Sequence, residues 1–261
     1  MARSQEYIKK RKGTLGIESL CVTLFVDAGL ERAQQRFADL NRFAVRTNNS
    51  LGLLYDHRDD HAKLTSTVVR DVVLFHKLTD GEKTSVAGGS NKLFALASIR
   101  AATKTLLAGF SGSFETARQI AVEFWTEVTC VMPLWHEVGL GKVRAAELRE
   151  KYVHGHGGAL EALGRACNAL LRERREDWKN CLKALGTLDW SRASQRWEGR
   201  AVVNGRIAKN AASVILTANL IKGHLGLELS IEERRHESVL VSDEVRLDED
   251  VQGDEVPATA A

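Results

Sequence analysis

The residues best placed to do chemistry lie between Trp190 and Asn210, in the stretch WSRASQRWEGRAVVNGRIAKN. There Arg192, Arg196, Arg200, Arg206 and Lys209 stand against one acid, Glu198. At about 100° per residue, Trp190 and Trp197 fall on nearly one side of a helix, while Arg192, Arg196 and Arg200 follow at i, i+4 and i+8 on roughly the other. The spacing therefore predicts a helix with one packing face and one cationic face. Such a face either meets an anion or simply keeps the surface wet, as charge runs often do.

Other chemistries fit less well. DGEKTS (Asp80 to Ser85) and GLGK (Gly139 to Lys142) have a Gly and a Lys, but neither has the first Gly five positions before Gly-Lys-Ser/Thr that lets successive backbone amides curl round a phosphate. His57 and His61 are spaced i, i+4 among Asp56, Asp59 and Asp60, and His154 and His156 form an HxH; a metal would need a further ligand at either place. DHRDDH reads equally as the start of a helix, with acids complementing the macrodipole. No nucleophile elbow or triad order is present. The sequence thus predicts no catalytic residue, no metal and no cofactor.

The elements that must position these residues are mostly helical. Two prolines in 261 residues leave long helices possible nearly everywhere. Leu20 to Val26, LCVTLFV, reads as a strand and leads through Asp27 and Gly29 into LERAQQRFADL, where Leu30, Ala33, Phe37 and Leu40 mark a helical stripe. Helical periodicity follows in Asp59 to Val73, Asn91 to Leu107, Phe114 to Thr129, Gly141 to Tyr152 and Leu160 to Arg175. In the last of these, Leu160, Leu163, Cys167, Leu170 and Leu171 form the buried stripe, with Arg165, Arg172, Arg174 and Arg175 turned toward water or a partner. A Gly-containing turn over Asn204 to Asn210 precedes a helix through Val214, Leu216, Leu220, Ile221 and Leu225 that stops at Gly226. The expected class is α+β, predominantly helical. A boundary is expected near Gly109 to Ser113, giving an α/β part over residues 1–110, a helical part over 111–240 and a disordered acidic tail over 241–261.

At 44% hydrophobic, the chain can bury a sizeable core. The net charge of +3 conceals an asymmetry. From Val241 onward Asp243, Glu244, Asp248, Glu249, Asp250, Asp254 and Glu255 face Arg246 alone, a net −6 that leaves +9 on the rest. A basic body with an acidic tail suits a nucleic-acid binder whose tail competes for the phosphate contacts. Cys21, Cys130, Cys167 and Cys181 show no ligand spacing and read as small buried hydrophobes in a reducing compartment. With no signal peptide and no apolar run of membrane-spanning length, a soluble cytoplasmic protein is expected.

Three blocks carry a resemblance. FVDAGLERAQQRFADLNRFAVRTNNSLGLLYDHRD (Phe25 to Asp59), NKLFALASIRAATKTLLAG (Asn91 to Gly109) and DWSRASQRWEGRAVVNGRIAKNAASVILTANLIKGHLGLELSIEE (Asp189 to Glu233) resemble the DndB family of DNA sulfur modification (phosphorothioation) proteins. That family belongs to the DGQHR-motif group and is distantly similar to ParB-like nucleotide-binding domains. The resemblance spans about residues 15 to 235. It implies a cytoplasmic, DNA-binding regulator that represses the genes for replacing a non-bridging DNA oxygen with sulfur. Double-stranded DNA and other phosphorothioation proteins are the implied partners, with a homo-oligomer possible. Family members carry DGQHR shortly before the strand matching Leu20 to Val26, and this chain begins after that point. A remnant of the ParB-like α/β domain is therefore expected, with Gln35, Asn41 and Arg42 as what is left of its nucleotide pocket; a polar helix face followed by a cap is the other reading of those three.

In a DNA-binding family, Arg192, Arg196 and Arg200 are expected to meet backbone phosphates, because guanidinium forks suit phosphate oxygens. Such contacts give register without reading sequence. Asn204, Arg206 and Asn210, with Lys209 beside them, are the expected base-edge or modified-backbone contacts. Two alternatives stay open: a ParB-like nucleotide hydrolase assisting the modification machinery, and a truncated fragment with a structural role.

Overall fold

A computed structural model describes residues 29–44 and 59–240. The expected strand Leu20–Val26, His57 and the acidic tail lie outside these residues. The architecture is predominantly helical with a few short strands, as expected. Helix α1 is Leu30–Ala44, α2 is Asp60–Asp71 and α3 is Val73–Leu78. The short strands β1 (Thr79–Asp80) and β2 (Phe94–Ala95) pair in parallel, Thr79 opposite Phe94. Then come α4 (Leu96–Leu106), α5 (Phe114–Val131), α6 (Trp135–Gly139), α7 (Ala145–Lys151), α8 (Gly157–Glu173) and α9 (Trp178–Leu182). A hairpin of β3 (Val202–Val203) and β4 (Arg206–Ile207) leads to α10 (Ala211–His224) and to the helical residues 231–240, α11.

Local signals set many helix ends. Asp59 caps α2 by accepting from the His61 backbone N–H at 2.8 Å, and Asp60 follows in the first turn. This is the helix-start reading of DHRDDH. Ser113 caps α5 through the Thr116 N–H at 3.1 Å. Ser230 and Glu233 form a reciprocal capping box at the start of α11, each side chain accepting from the other's backbone N–H. Gly226, with φ of 69°, stands two residues beyond α10.

One hydrophobic cluster joins these elements. It takes Leu64 and Val68 from α2, Phe75 from α3, Ile99 and Leu106 from α4, Phe124 and Trp125 from α5, Leu160, Leu163 and Leu170 from α8, and Val214 and Ile221 from α10. The α8 stripe is the one its 3.6-residue period predicts, with Cys167 fully buried and its thiol pushed up by that burial. Cys130, by contrast, is exposed, which corrects its reading as a buried hydrophobe. Gly109–Ser113 connects α4 to α5, both of which contribute to this cluster.

α8 lies at the centre, packed against α4 on one side and α10 on the other. Its approach to α4 is very close at Gly164, where an added Cβ would sit 2.2 Å from the Ala102 carbonyl oxygen. Backbone cannot give way as a flexible side chain can, so any larger residue there would force the helices apart. Nearby, Trp125 Nε1 donates to Thr103 Oγ1 at 3.0 Å, satisfying a fully buried indole. No helix among the described residues is long and apolar enough to cross a membrane.

Candidate nucleic-acid interface

The segment Trp190 to Arg200 is not the helix its spacing predicts. It pairs briefly with the end of α7: the Val153 N–H donates to the Trp190 carbonyl and the Arg192 N–H to the Lys151 carbonyl, both at 2.9 Å. It then makes one 3-10 turn, Gln195–Trp197. The two tryptophans do pack, as expected, but on each other, with ring centroids 5.2 Å apart and planes 18° apart. In an α-helix residues seven apart are separated by about 10 Å along the axis, so this stack requires a folded-back chain. Trp190 Nε1 donates to the Leu185 carbonyl and Trp197 Nε1 to the Asp189 carbonyl, fixing the turn around the stack. The aromatic column continues from Trp190 through His154 to Trp135, which stacks on His154 within 6° of parallel.

Without the helix the arginine stripe divides into three roles. Arg192 donates from Nη1 to the Glu150 carbonyl at 3.0 Å and from Nη2 to the Gly205 carbonyl at 2.8 Å. It ties the hairpin tip to the body. Arg200 turns inward, its guanidinium bonded to both Glu237 oxygens at 2.7 and 2.6 Å and to the Leu216 carbonyl. Burial alone would raise the Glu237 carboxyl, but the Arg200 and Asn219 bonds more than offset it and hold it below its ordinary range. This pair and the buried Lys222–Glu233 pair clamp α11 onto α10. Among the described residues, Arg196 alone of the three stays exposed with no hydrogen-bond or ion-pair partner.

The hairpin that follows is built by Asn204 and Gly205. Both have positive φ, 51° and 69°, the geometry of a type I′ turn, which an Asn-Gly pair favours because its twist matches that of the strands. Val202 pairs with Ile207 and Val203 with Arg206. The Asn204 N–H donates to Glu198 Oε1 at 2.7 Å and the Ala208 N–H to the Ala201 carbonyl at 2.9 Å. The tip is thus held on both sides, with Asn204, Gly205, Arg206, Lys209 and Asn210 exposed. The Asn210 side-chain oxygen is engaged, accepting from the Ser213 N–H at 2.8 Å to cap α10. The Asn-Gly signal between apolar pairs, VVNGRI, is strong enough to identify a hairpin from sequence; read as a turn alone, it leaves the strands unseen.

Arg192 and Lys209 also lie near His156, whose Nε2 pairs with the Arg149 carbonyl at 2.6 Å. Burial, with these cations adding to it, pushes His156 down to about 4. Burial likewise pushes His154 down to about 4, its Nε2 held at 2.9 Å from the Pro133 carbonyl. The HxH is thus a pair of neutral interior groups bound to backbone. Among the described residues no group of three or more His, Cys, Asp or Glu side chains is arranged to hold a metal ion. Beside them Arg149 sends its guanidinium to the carbonyls of Ala87, Gly88, Ser90 and Lys92, pinning the Gly-rich loop between β1 and β2.

The residues expected for a nucleotide pocket all lie on α1. Gln35 Nε2 donates to Asp39 Oδ1 at 3.2 Å within that helix. Asn41 and Arg42 continue the same helix, which runs on to Ala44 instead of being capped before them.

A search of curated proteins and a search of solved structures each find no match. The model of one protein family does match, that of DndB, DNA-sulfur modification-associated, and it covers residues 4–228. Those residues include α1, the helical core, the tryptophan stack and the basic hairpin, so the chain belongs to the DndB family of proteins associated with DNA sulfur modification.

Proposed function

We propose that this protein is a non-enzymatic, DNA-binding regulator that acts in the cytoplasm to repress the genes of DNA phosphorothioate modification. The observation that carries the reading is the braced hairpin. Arg206 and Lys209 stand exposed with no carboxylate partner among the described residues, on a turn held from behind by Arg192 and Glu198. A two-stranded ribbon of this kind fits the major groove of duplex DNA. Arg196, Arg206 and Lys209 contact phosphates, while Asn204 and Asn210, with their amide donors exposed, face base edges or the modified backbone. Arg192 and Arg200 act from behind, one positioning the hairpin and the other fixing α11.

The test is a fluorescence anisotropy titration with duplex from the promoter of the neighbouring modification genes and with unrelated duplex of equal length. Preference for the promoter that Asn204→Ala reduces, with binding to unrelated duplex unchanged, is the expected result. Equal affinity for both duplexes would remove the regulatory reading. The same titration examines the tail. Because residues 241–261 carry −6 beside a +9 body, deleting them should tighten binding to unrelated duplex at low salt and leave the melting transition cooperative. Unchanged affinity would show that the tail does not compete with DNA.

A further inference from the structure

A second feature of the molecule has the chemistry of a ligand site and shares no residue with the hairpin. The ends of α4 and α8 enclose a cleft of about 590 Å³, within the size range of small-molecule pockets. Half-buried Leu107, Ile120 and Leu171 line its apolar interior, while Phe110, Arg172 and Arg175 stand exposed at its rim and Trp178 lies between. The walls are fixed. Asn168 Nδ2 donates to the Leu106 and Ala108 carbonyls at 2.7 and 3.1 Å, and Arg172 Nη2 donates to the Ala108 carbonyl at 2.6 Å. These bonds satisfy the last carbonyls of α4 and hold the following loop, on which the Phe110 ring lies against Gly112.

The charge of the cleft is unbalanced. Glu123, its one acid, is taken by Lys179 at 2.6 Å. Neither Arg172 nor Arg175 has an ion pair among the described residues. Two unneutralised guanidiniums beside an exposed, immobilised aromatic ring suit a flat aromatic group that carries an anion. Arg175 has no hydrogen-bond or ion-pair partner among the described residues, and the guanidinium of Arg172 has donors beyond the one given to Ala108.

We propose that this cleft binds a single nucleotide unit, its base against Phe110 and its phosphate at Arg172 and Arg175. Duplex DNA hides its base faces within the stack, so the unit is either a free nucleotide or a base standing out of a single strand. Aromatic side chains bind such bases with little sequence preference because every base offers a π-face. The site does not depend on the hairpin and is tested apart from it.

The experiment uses the full chain, a fluorescently labelled oligothymidylate, and unlabelled adenosine monophosphate as competitor. The wild type should bind the single strand, and Phe110→Ala should weaken that binding about five-fold or more, while leaving duplex affinity and the melting temperature unchanged. Phe110→Trp should restore it. Displacement by the mononucleotide identifies a free nucleotide as the ligand, and displacement only by unlabelled oligonucleotide identifies an unstacked base in a strand; either supports the site. Single-strand binding unaltered by Phe110→Ala, or abolished solely by loss of Arg206 and Lys209, would overturn it. So would the absence of binding to both probes. Absence of duplex binding by the wild type, with single-strand binding present, would instead remove the hairpin reading and leave the cleft standing.

Discussion

Replacing Arg196, Arg206 and Lys209 together with Gln should weaken duplex binding by roughly two to three orders of magnitude near 0.1 M salt, and about equally on any DNA sequence. Each phosphate contact releases a condensed counterion, so the slope of log K against log salt should shrink by about 0.9 for each contact removed. The three side chains are exposed and make no hydrogen bond or ion pair among the described residues, so the folded state should be little affected. Arg200→Gln is the informative control. Its guanidinium already serves Glu237, with both side chains about four-fifths buried, and removing it strands a carboxylate. The expected consequence is a loss of about 1–3 kcal/mol of stability, below the range for fully buried pairs because some water reaches this one. Its salt slope should equal that of the wild type. A triple variant with an unaltered slope would place duplex binding away from the hairpin.

Stability should fall steeply as the pH drops from about 6.5 toward 4, for the most part above the range in which carboxylates titrate. His154 and His156 are both pushed down to about 4 in the folded chain from an ordinary 6.5. A histidine with a depressed folded value is neutral when folded and takes up a proton when unfolded. Its contribution is complete above about pH 6.5 and is lost as the pH falls through the interval down to 4. The expected loss by pH 4.5 is about 2–3 kcal/mol for each histidine. Glu233 and Glu237 are held below the ordinary carboxylate range despite their burial, because hydrogen bonds from Lys222 and Arg200 outweigh it. Their contribution begins to be lost only below about pH 4.5, at the foot of the histidine window. Urea unfolding between pH 7 and 4.5 measures the first window. His154→Phe, which keeps a ring between Trp135 and Trp190, should remove about half of the pH dependence. A slope identical to the wild type would show that His154 is not held neutral in the fold.

Most of the helical framework can be read along the chain, because helix formation depends on neighbours three and four residues away. The α8 stripe from Leu160 to Leu170, the start of α2 within DHRDDH and the arrest of α10 before Gly226 were all legible from local spacing. The family was legible as well, from three long blocks of residues. The tertiary structure decided which arginines remain free. The i, i+4, i+8 arithmetic presupposes a helix, and whether Trp190 to Arg200 forms one is settled by contacts with other segments: the bonds from the two indoles to the Leu185 and Asp189 carbonyls, and the pairing of residues 190–192 with the end of α7. Arg200 is drawn inward by Glu237, an acid on α11 whose proximity no local pattern records. The cleft at Phe110 and Arg175 likewise is formed by residues of separate elements, α4, α5, α8 and α9, that only the fold brings together. Propensity and periodicity act along the chain, whereas a charge is neutralised or exposed by whatever the folded chain brings next to it.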